Sequence, residues 1–220
     1  MDAIECIRTR MSIRKFRPDA VPAETLLKVI DEARWSPSYK NSQPWEVVIV
    51  SGAKKEELTK LLSGLLEQGA SPCPDIPEPK SWPAVIDARI AALMKKRGEL
   101  TGMDLNSPEI RRRSKLANFA FYGAPHGLFI MQDGSLNEWS VLDLGMFCQS
   151  IMLAAHAMGL GTVPQAFLTD YARQTKEFLG VPASKRLTLG MSIGYPDMTS
   201  KANAFRTDRV NTEFIVKMIA

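Results

Sequence analysis

Hydrophobic and polar positions change period several times along this chain, and each change marks an element. Asp2 stands where an N-cap belongs, ahead of a short helix with Ile4 and Ile7 on one face. From Arg10 to Phe16 the pattern alternates, with Arg10, Ser12 and Arg14 polar and Met11 and Ile13 apolar. Successive side chains of an extended segment point to opposite sides, so the three polar groups share one side and the apolar pair packs inward. Pro22 opens a helix whose inner stripe is Leu26, Leu27, Ile30 and Ala33. Pro37 closes it, because the residue before a proline is pushed out of the helical region.

Glu46 to Val50 is a short β-branched run that reads as a buried strand. Lys54 to Gln68 is amphipathic, with Leu58, Leu61, Leu62, Leu65 and Leu66 on the buried side. Gly69 to Pro83 holds Pro72, Pro74, Pro77, Pro79 and Pro83 and reads as a loop. Pro83 to Arg97 is helical in pattern, and Ser107-Pro108 signals the start of another helix running to about Tyr122. Gly127 to Met131 and Leu187 to Ile193 are further strands, and Thr169 or Asp170 caps a short helix that ends at Leu179-Gly180. Val141 to Met158 is apolar nearly all round, as in a helix buried in a large core or between subunits. The apolar stretch from Val141 to Leu160 is about as long as a membrane span, but Asp143, Gln149, Ser150 and His156 interrupt it, and a buried helix is the better reading. Helices dominate, strands are few and no internal repeat is visible. The expected class is α+β, in one domain over residues 1–220.

Composition narrows this only a little. The 220 residues are 45% hydrophobic and 24% charged, ordinary for a folded chain with one sizeable core. Net charge +4 and a pI of about 9.0 suit an anionic ligand without requiring one. The basic clusters Lys95-Lys96-Arg97 and Arg111-Arg112-Arg113 sit in no nucleic-acid reader motif and read as solvated helix faces. Cys6, Cys73 and Cys148 have neither disulfide nor metal spacing, and the chain opens without an apolar leader. A cytoplasmic protein without membrane or nucleic-acid partners is expected.

Several catalytic patterns are excluded by their neighbours. Gly159 and Gly161 begin a G-x-G-x-x-G, but Pro164 occupies the place of its last glycine. His126 and His156 have no ligand-spaced companions, so no metal site is expected. Gly190-Met191-Ser192-Ile193-Gly194 matches the hydrolase nucleophile elbow, yet a turn follows it and no histidine comes later in the chain. It reads as a strand ending in glycine.

Four segments carry the chemistry: Arg10-Met11-Ser12-Ile13-Arg14-Lys15-Phe16; Ser36-Pro37-Ser38-Tyr39-Lys40-Asn41-Ser42-Gln43-Pro44-Trp45; Gly159-Leu160-Gly161-Thr162-Val163-Pro164-Gln165; and Gly194-Tyr195-Pro196-Asp197 with Asn203-Ala204-Phe205-Arg206-Thr207-Asp208-Arg209. In this order, spread over nearly the whole chain, they closely resemble the nitroreductase family of flavoenzymes. The resemblance implies a central mixed or antiparallel sheet surrounded by helices, and an intertwined homodimer binding FMN in two equivalent interface clefts. Residues 69–114 show no such match and resemble the family's variable excursion, which shapes the substrate pocket.

The residue chemistry agrees with that implication. Arg10, Arg206 and Arg209 are fork-shaped donors suited to a phosphate, and Ser12 adds a hydroxyl beside Met11. Arg14, on the same face as Arg10, reaches toward the N1/O2 edge of the flavin ring, where positive charge stabilises the reduced anion. By resemblance, Pro37, Ser38, Asn41 and Gln43 lie in the segment that contacts flavin from the partner subunit. Pro164 and Gln165 match a loop against the ring that offers main-chain groups to N5. Better-known members often have an acidic residue and glycine there, so this chain departs from the pattern and its bonds to N5 stay open. Trp45 reads as packing.

The resemblance further implies ping-pong transfer of hydride from NADH or NADPH through flavin N5 to a nitroaromatic, quinone or similar electrophile, with no side-chain nucleophile. Reductive dehalogenation, flavin fragmentation or dehydrogenation within the same superfamily remains an alternative, as does a flavin-binding module without turnover.

Overall fold

The computed structural model describes residues 1–219. Its centre is a four-stranded sheet of β1 (Glu46–Ser51), β2 (His126–Asp133), β3 (Gly161–Gln165) and β4 (Lys185–Gly194) in the order β1-β2-β4-β3. Every neighbouring pair is antiparallel, so of the two expected sheet types the antiparallel one is found. The parallel element is an isolated bridge between Ser12 and Thr162 beside the sheet.

Around the sheet lie α1 (Ala3–Thr9), α2 (Ala23–Ala33), α3 (Gly52–Glu67), α4 (Ala84–Thr101), α5 (Pro108–Phe119), α6 (Glu138–Ala157) and α7 (Ala172–Leu179). Strand β2 shows why both faces must be covered. Leu128 and Ile130 join Leu144, Phe147 and Ile151 of α6 and Val29 of α2 in one core. Phe129 and Met131 join Leu58 and Leu62 of α3, Phe119 of α5 and Leu168 in the other. Alternation along a strand sends neighbours to opposite faces, and here both are dry, hence the unbroken apolar run in the sequence.

Several local expectations need correction. In α1 the buried residue is Cys6, and both Ile4 and Ile7 are exposed. In α2 Val29 is buried, whereas Leu27 is 63% exposed because it stands a residue away from the 26-29-33 stripe. Neither Thr169 nor Asp170 caps α7: the Thr169 hydroxyl donates to Ala166 O, Asp170 pairs with Lys115, and Tyr171 holds the cap position. Helix α5 stops at Phe119, since Phe121 and Tyr122 take positive φ. Ser107 precedes α5 without a side-chain cap bond. Strand β3 carries no strand signal in its sequence, because Gly-Thr-Val-Pro-Gln lacks strand periodicity. Its edge position accommodates Pro164, which has no N–H to donate.

Helix α6 is long and apolar enough to cross a membrane by length and composition. Its Leu144, Phe147, Ile151 and Ala155 nonetheless face the α2 and sheet core, and Asp143 is buried, accepting from the Tyr39 N–H at 3.1 and 3.2 Å. The Gly190 to Gly194 stretch ends β4, and the fully buried Ser192 hydroxyl donates to Gln165 Oε1, so that serine is a core residue.

Candidate active site

The segment after α1 is laid along the end of the sheet. Ile13 N donates to Thr162 O and Arg17 N to Tyr195 O, both at 2.9 Å, while Ile13 and Phe16 are buried. Gly161 is required beneath it: a Cβ there would stand 2.6 Å from Ile13 Cγ1. With Ile13 fixed on the apolar side, Arg10, Ser12 and Arg14 are left half-buried as the alternation predicts, but Met11, expected to pack inward, is half-buried as well.

A second segment is brought to meet them by Asn203, which is 2% exposed. Its Oδ1 accepts from Arg14 N at 2.7 Å, and its Nδ2 donates to Lys15 O at 2.7 Å and Asp197 O at 2.8 Å. Just beyond it, Arg206 Nη1 donates to Thr9 O at 3.1 Å. A cavity of about 360 Å³ results, lined by Arg10, Met11, Ser12, Arg14, Arg206 and Arg209 among others. The six residues assigned from the first and fourth sequence segments thus share one cavity.

Electrostatically the cavity is unbalanced. Among the described residues none of its five arginines, Arg8, Arg10, Arg14, Arg206 and Arg209, forms an ion pair with a carboxylate. Arg10 Nε is buried without a hydrogen-bond partner, an orphaned donor of the kind folded proteins avoid unless a ligand completes it. Burial, and then Arg209 and Arg206, hold the Arg10 pKa below its usual value. Such an arrangement is completed by an anion with several acceptor oxygens.

Arg97 of α4 belongs to the same positive region, its pKa lowered by burial and then by Arg14. The adjacent Lys96 ties α4 to the C-terminal arm through Asp208 at 2.6 Å. Reading residues 95–97 as a solvated face therefore misses Arg97. Nothing local distinguishes it from its neighbours, since its placement depends on how α4 packs.

Pro37, Ser38, Asn41 and Gln43 line no part of this cavity. They form a separate loop in which Ser38 Oγ accepts from Gln43 N at 3.0 Å. Lys40, Asn41 and Gln43 all have positive φ, between 46° and 57°. Such backbone costs on the order of 1–3 kcal/mol per non-glycine residue and persists only where surrounding contacts impose it. Pro37, Asn41 and Gln43 are exposed, while Trp45 stacks on Phe147 at 4.7 Å.

Pro164 and Gln165 are part of strand β3 and not of a loop. The Gln165 side chain turns inward, with Nε2 donating to Asn118 O at 3.0 Å, so this residue has only its main chain to offer outward.

Comparison with known proteins fixes the family of the chain. The family model described as "Nitroreductase family" matches residues 7–195. The chain belongs to the nitroreductase family. It is 32% identical to the 4-nitrobenzoate reductase of Pseudomonas putida over 92% of this chain and 89% of that protein. It is also 32% identical to nitroreductase NfnB of Mycolicibacterium smegmatis over 92% of this chain and 86% of that one. A crystal structure of the FMN-dependent nitroreductase NfnB from Mycobacterium smegmatis in complex with NADPH superposes with TM-score 0.94 and 30% identity, covering 99% of this chain and 98% of that chain. The nitroreductase fold is therefore the fold of this chain.

Proposed function

We propose that this chain is an FMN-dependent oxidoreductase that passes hydride from NADH or NADPH to a nitroaromatic, quinone or similar electrophilic acceptor by a ping-pong mechanism. It works as a cytoplasmic homodimer, one domain over residues 1–220, with residues 69–114 shaping the acceptor pocket. The observation that carries this reading is the arginine-lined cavity with the orphaned Arg10 Nε. FMN fits that donor set: its phosphate meets Arg10, Ser12, Arg206 and Arg209, and its ring edge lies toward Arg14.

When bound, FMN supplies an N5 atom that accepts hydride from the nicotinamide and yields it to the acceptor. The chain's own residues bind, orient and polarise. Arg10, Arg206 and Arg209 hold the phosphate, Arg14 places a permanent positive charge, and the main chain at Pro164 and Gln165 borders the ring. The partner's loop around Pro37, Ser38, Asn41 and Gln43 completes the cleft. With no nucleophile or metal involved, positioning and electrostatics carry the rate.

The purified protein is expected to be yellow, to release one FMN per chain on heating, and to bleach with NADH or NADPH. A supernatant holding FAD or no flavin would falsify the assignment. Bound flavin that neither nicotinamide reduces would identify a binding module without turnover.

Arg14 allows a sharper test. Arginine stays protonated at neutral pH, so it tunes the flavin electrostatically and donates no proton in turnover. A charge-assisted hydrogen bond is worth about 1.5–3 kcal/mol. If at least half of that distinguishes reduced from oxidised flavin, Arg14→Met lowers the two-electron potential by about 15–60 mV, taking roughly 30 mV per 1.4 kcal/mol. Arg206→Met instead weakens FMN retention, because the phosphate charge is the same in both redox states. Redox titration of both reconstituted variants decides: an unchanged potential in the Arg14 variant, or the larger shift in the Arg206 variant, reverses the two roles.

A further inference from the structure

His156, in the last turn of α6, lies beside the end of α1. Its Nε2 lies 2.8 Å from Thr9 Oγ1. The Thr9 hydroxyl also lies 2.7 Å from Glu5 O, and with its one proton directed there Oγ1 accepts from the histidine and Nε2 carries the ring proton. Nδ1 is then the atom that takes up a second proton. Thr9 is also the residue whose carbonyl holds Arg206. One residue at the end of α1 thereby joins the histidine to a phosphate-binding arginine, although His156 lies 147 positions away. His156 and Arg10 line a further cavity of about 90 Å³, and Arg10 is shared with the larger arginine cavity.

We propose that the Thr9–His156 pair positions the phosphate-binding arginines and couples phosphate binding to proton uptake at His156, so that FMN binds more tightly as the pH falls. This rests on the assignment of FMN phosphate to the arginine cavity.

The charged groups facing His156 are Arg10 from the segment after α1, Arg206 from the C-terminal arm and Glu5 from α1. Burial first, then Arg10 and Arg206, lower the His156 pKa, against a smaller opposing effect of Glu5. The ring is therefore neutral at pH 7 while the arginines stand uncompensated. A phosphate dianion arriving between Arg10 and Arg206 offsets their repulsion of the imidazolium while the burial remains, and the pKa moves part of the way back up. A group whose pKa rises on binding takes up a proton on binding, and by reciprocity the protonated form binds the ligand more tightly. The effect is largest below the pKa of the free protein and vanishes above that of the complex.

The sign for folding is opposite. With its folded pKa below the unfolded value, His156 contributes stability that is present above the unfolded pKa and is lost as pH falls through the folded one. Acid therefore weakens the flavin-free protein while strengthening its hold on the phosphate.

The experiment is titration of the flavin-depleted full-length protein with FMN and with riboflavin, which lacks the phosphate, followed by flavin fluorescence at pH 8 and pH 6. His156→Gln keeps an N–H for Thr9 and removes the titration. The phosphate itself titrates near pH 6, but that is common to both proteins and cancels in the ratio of their affinities. The penalty of His156→Gln for FMN is expected to be about two- to fourfold larger at pH 6 than at pH 8, with no such difference for riboflavin. Thr9→Val, which retains the histidine but not its anchor, is expected to lose most of the pH-dependent difference. Parallel pH profiles of the wild type and His156→Gln overturn the coupling, as does an equal effect on riboflavin. A Thr9→Val protein with the full wild-type profile overturns the positioning role. A wild type that binds no FMN at either pH instead overturns the underlying assignment of the cavity.

Discussion

Replacing Arg10 with methionine is expected to weaken FMN binding about 10- to 150-fold, the equivalent of the roughly 1.5–3 kcal/mol that a hydrogen bond to a charged group contributes. Among the cavity arginines Arg10 is the one whose Nε is already buried and without a partner. Its desolvation is thus incurred before the ligand arrives, and the phosphate gains a donor that water no longer satisfies. Methionine keeps the length and apolar stem of the side chain, so packing beside Met11 is largely preserved. The same substitution removes a half-buried charge repelled by Arg209 and Arg206. The flavin-free variant is therefore expected to melt no lower than the wild type. Opposite signs for cofactor affinity and bare stability distinguish a binding arginine from a structural one. Fluorescence titration paired with thermal melting reads both. Unchanged affinity refutes the assignment, and loss of both quantities together means that Arg10 holds up the fold instead.

How much of this was legible in the sequence followed the range of the interaction involved. The shared face of Arg10, Ser12 and Arg14 could be read because alternation is local and needs only the extended backbone. The helix at Val141 to Met158 was evident from apolar residues on every side, although its first turn, beginning at Glu138, was not. Long-range pairings left no trace. Asn203 heads a segment that resembles the family, but its three bonds to residues near 15 and 197 are seen only in the fold. Thr9 and His156 look unrelated at a separation of 147 positions. Strand β3 escaped because glycine and proline mark turns in isolation, while an edge strand packed under Ile13 accommodates both. The inward turn of Gln165 depended on partners at Asn118 and Ser192 that only the folded sheet supplies. Arg97 was set aside with its basic neighbours, and packing of α4 alone separates it from them.

Disrupting self-association is expected to abolish FMN retention altogether, because each cleft is proposed to need the partner's loop. The chain exposes 13392 Å². A compact monomer of 24.4 kDa would expose about 10,000 Å², so roughly a third more surface is open than the mass warrants. The excess has identifiable sources. Helix α4 has no buried residue, and the C-terminal arm exposes Phe214, Ile215, Met218 and Ile219. The outer side of α6 exposes Trp139 at 60% and Leu142 at 56%, opposite the face that packs on α2 and the sheet. An apolar stripe on the main core helix, next to a strained loop that its buried Asp143 anchors, is the surface on which the proposed second copy of the chain would sit. Leu142→Glu tests this without entering the monomer's core. In a two-fold dimer the substituted residue occurs twice, and each unpaired charge driven into an interface costs about 3–5 kcal/mol. The dimer dissociation constant should rise by roughly four decades or more. Sedimentation followed at flavin and protein wavelengths is expected to show the wild type as a yellow dimer and Leu142→Glu as a colourless monomer. A variant that sediments as a monomer with FMN still bound at micromolar concentration would show that one chain suffices to hold the cofactor, and the partner's loop would lose its role.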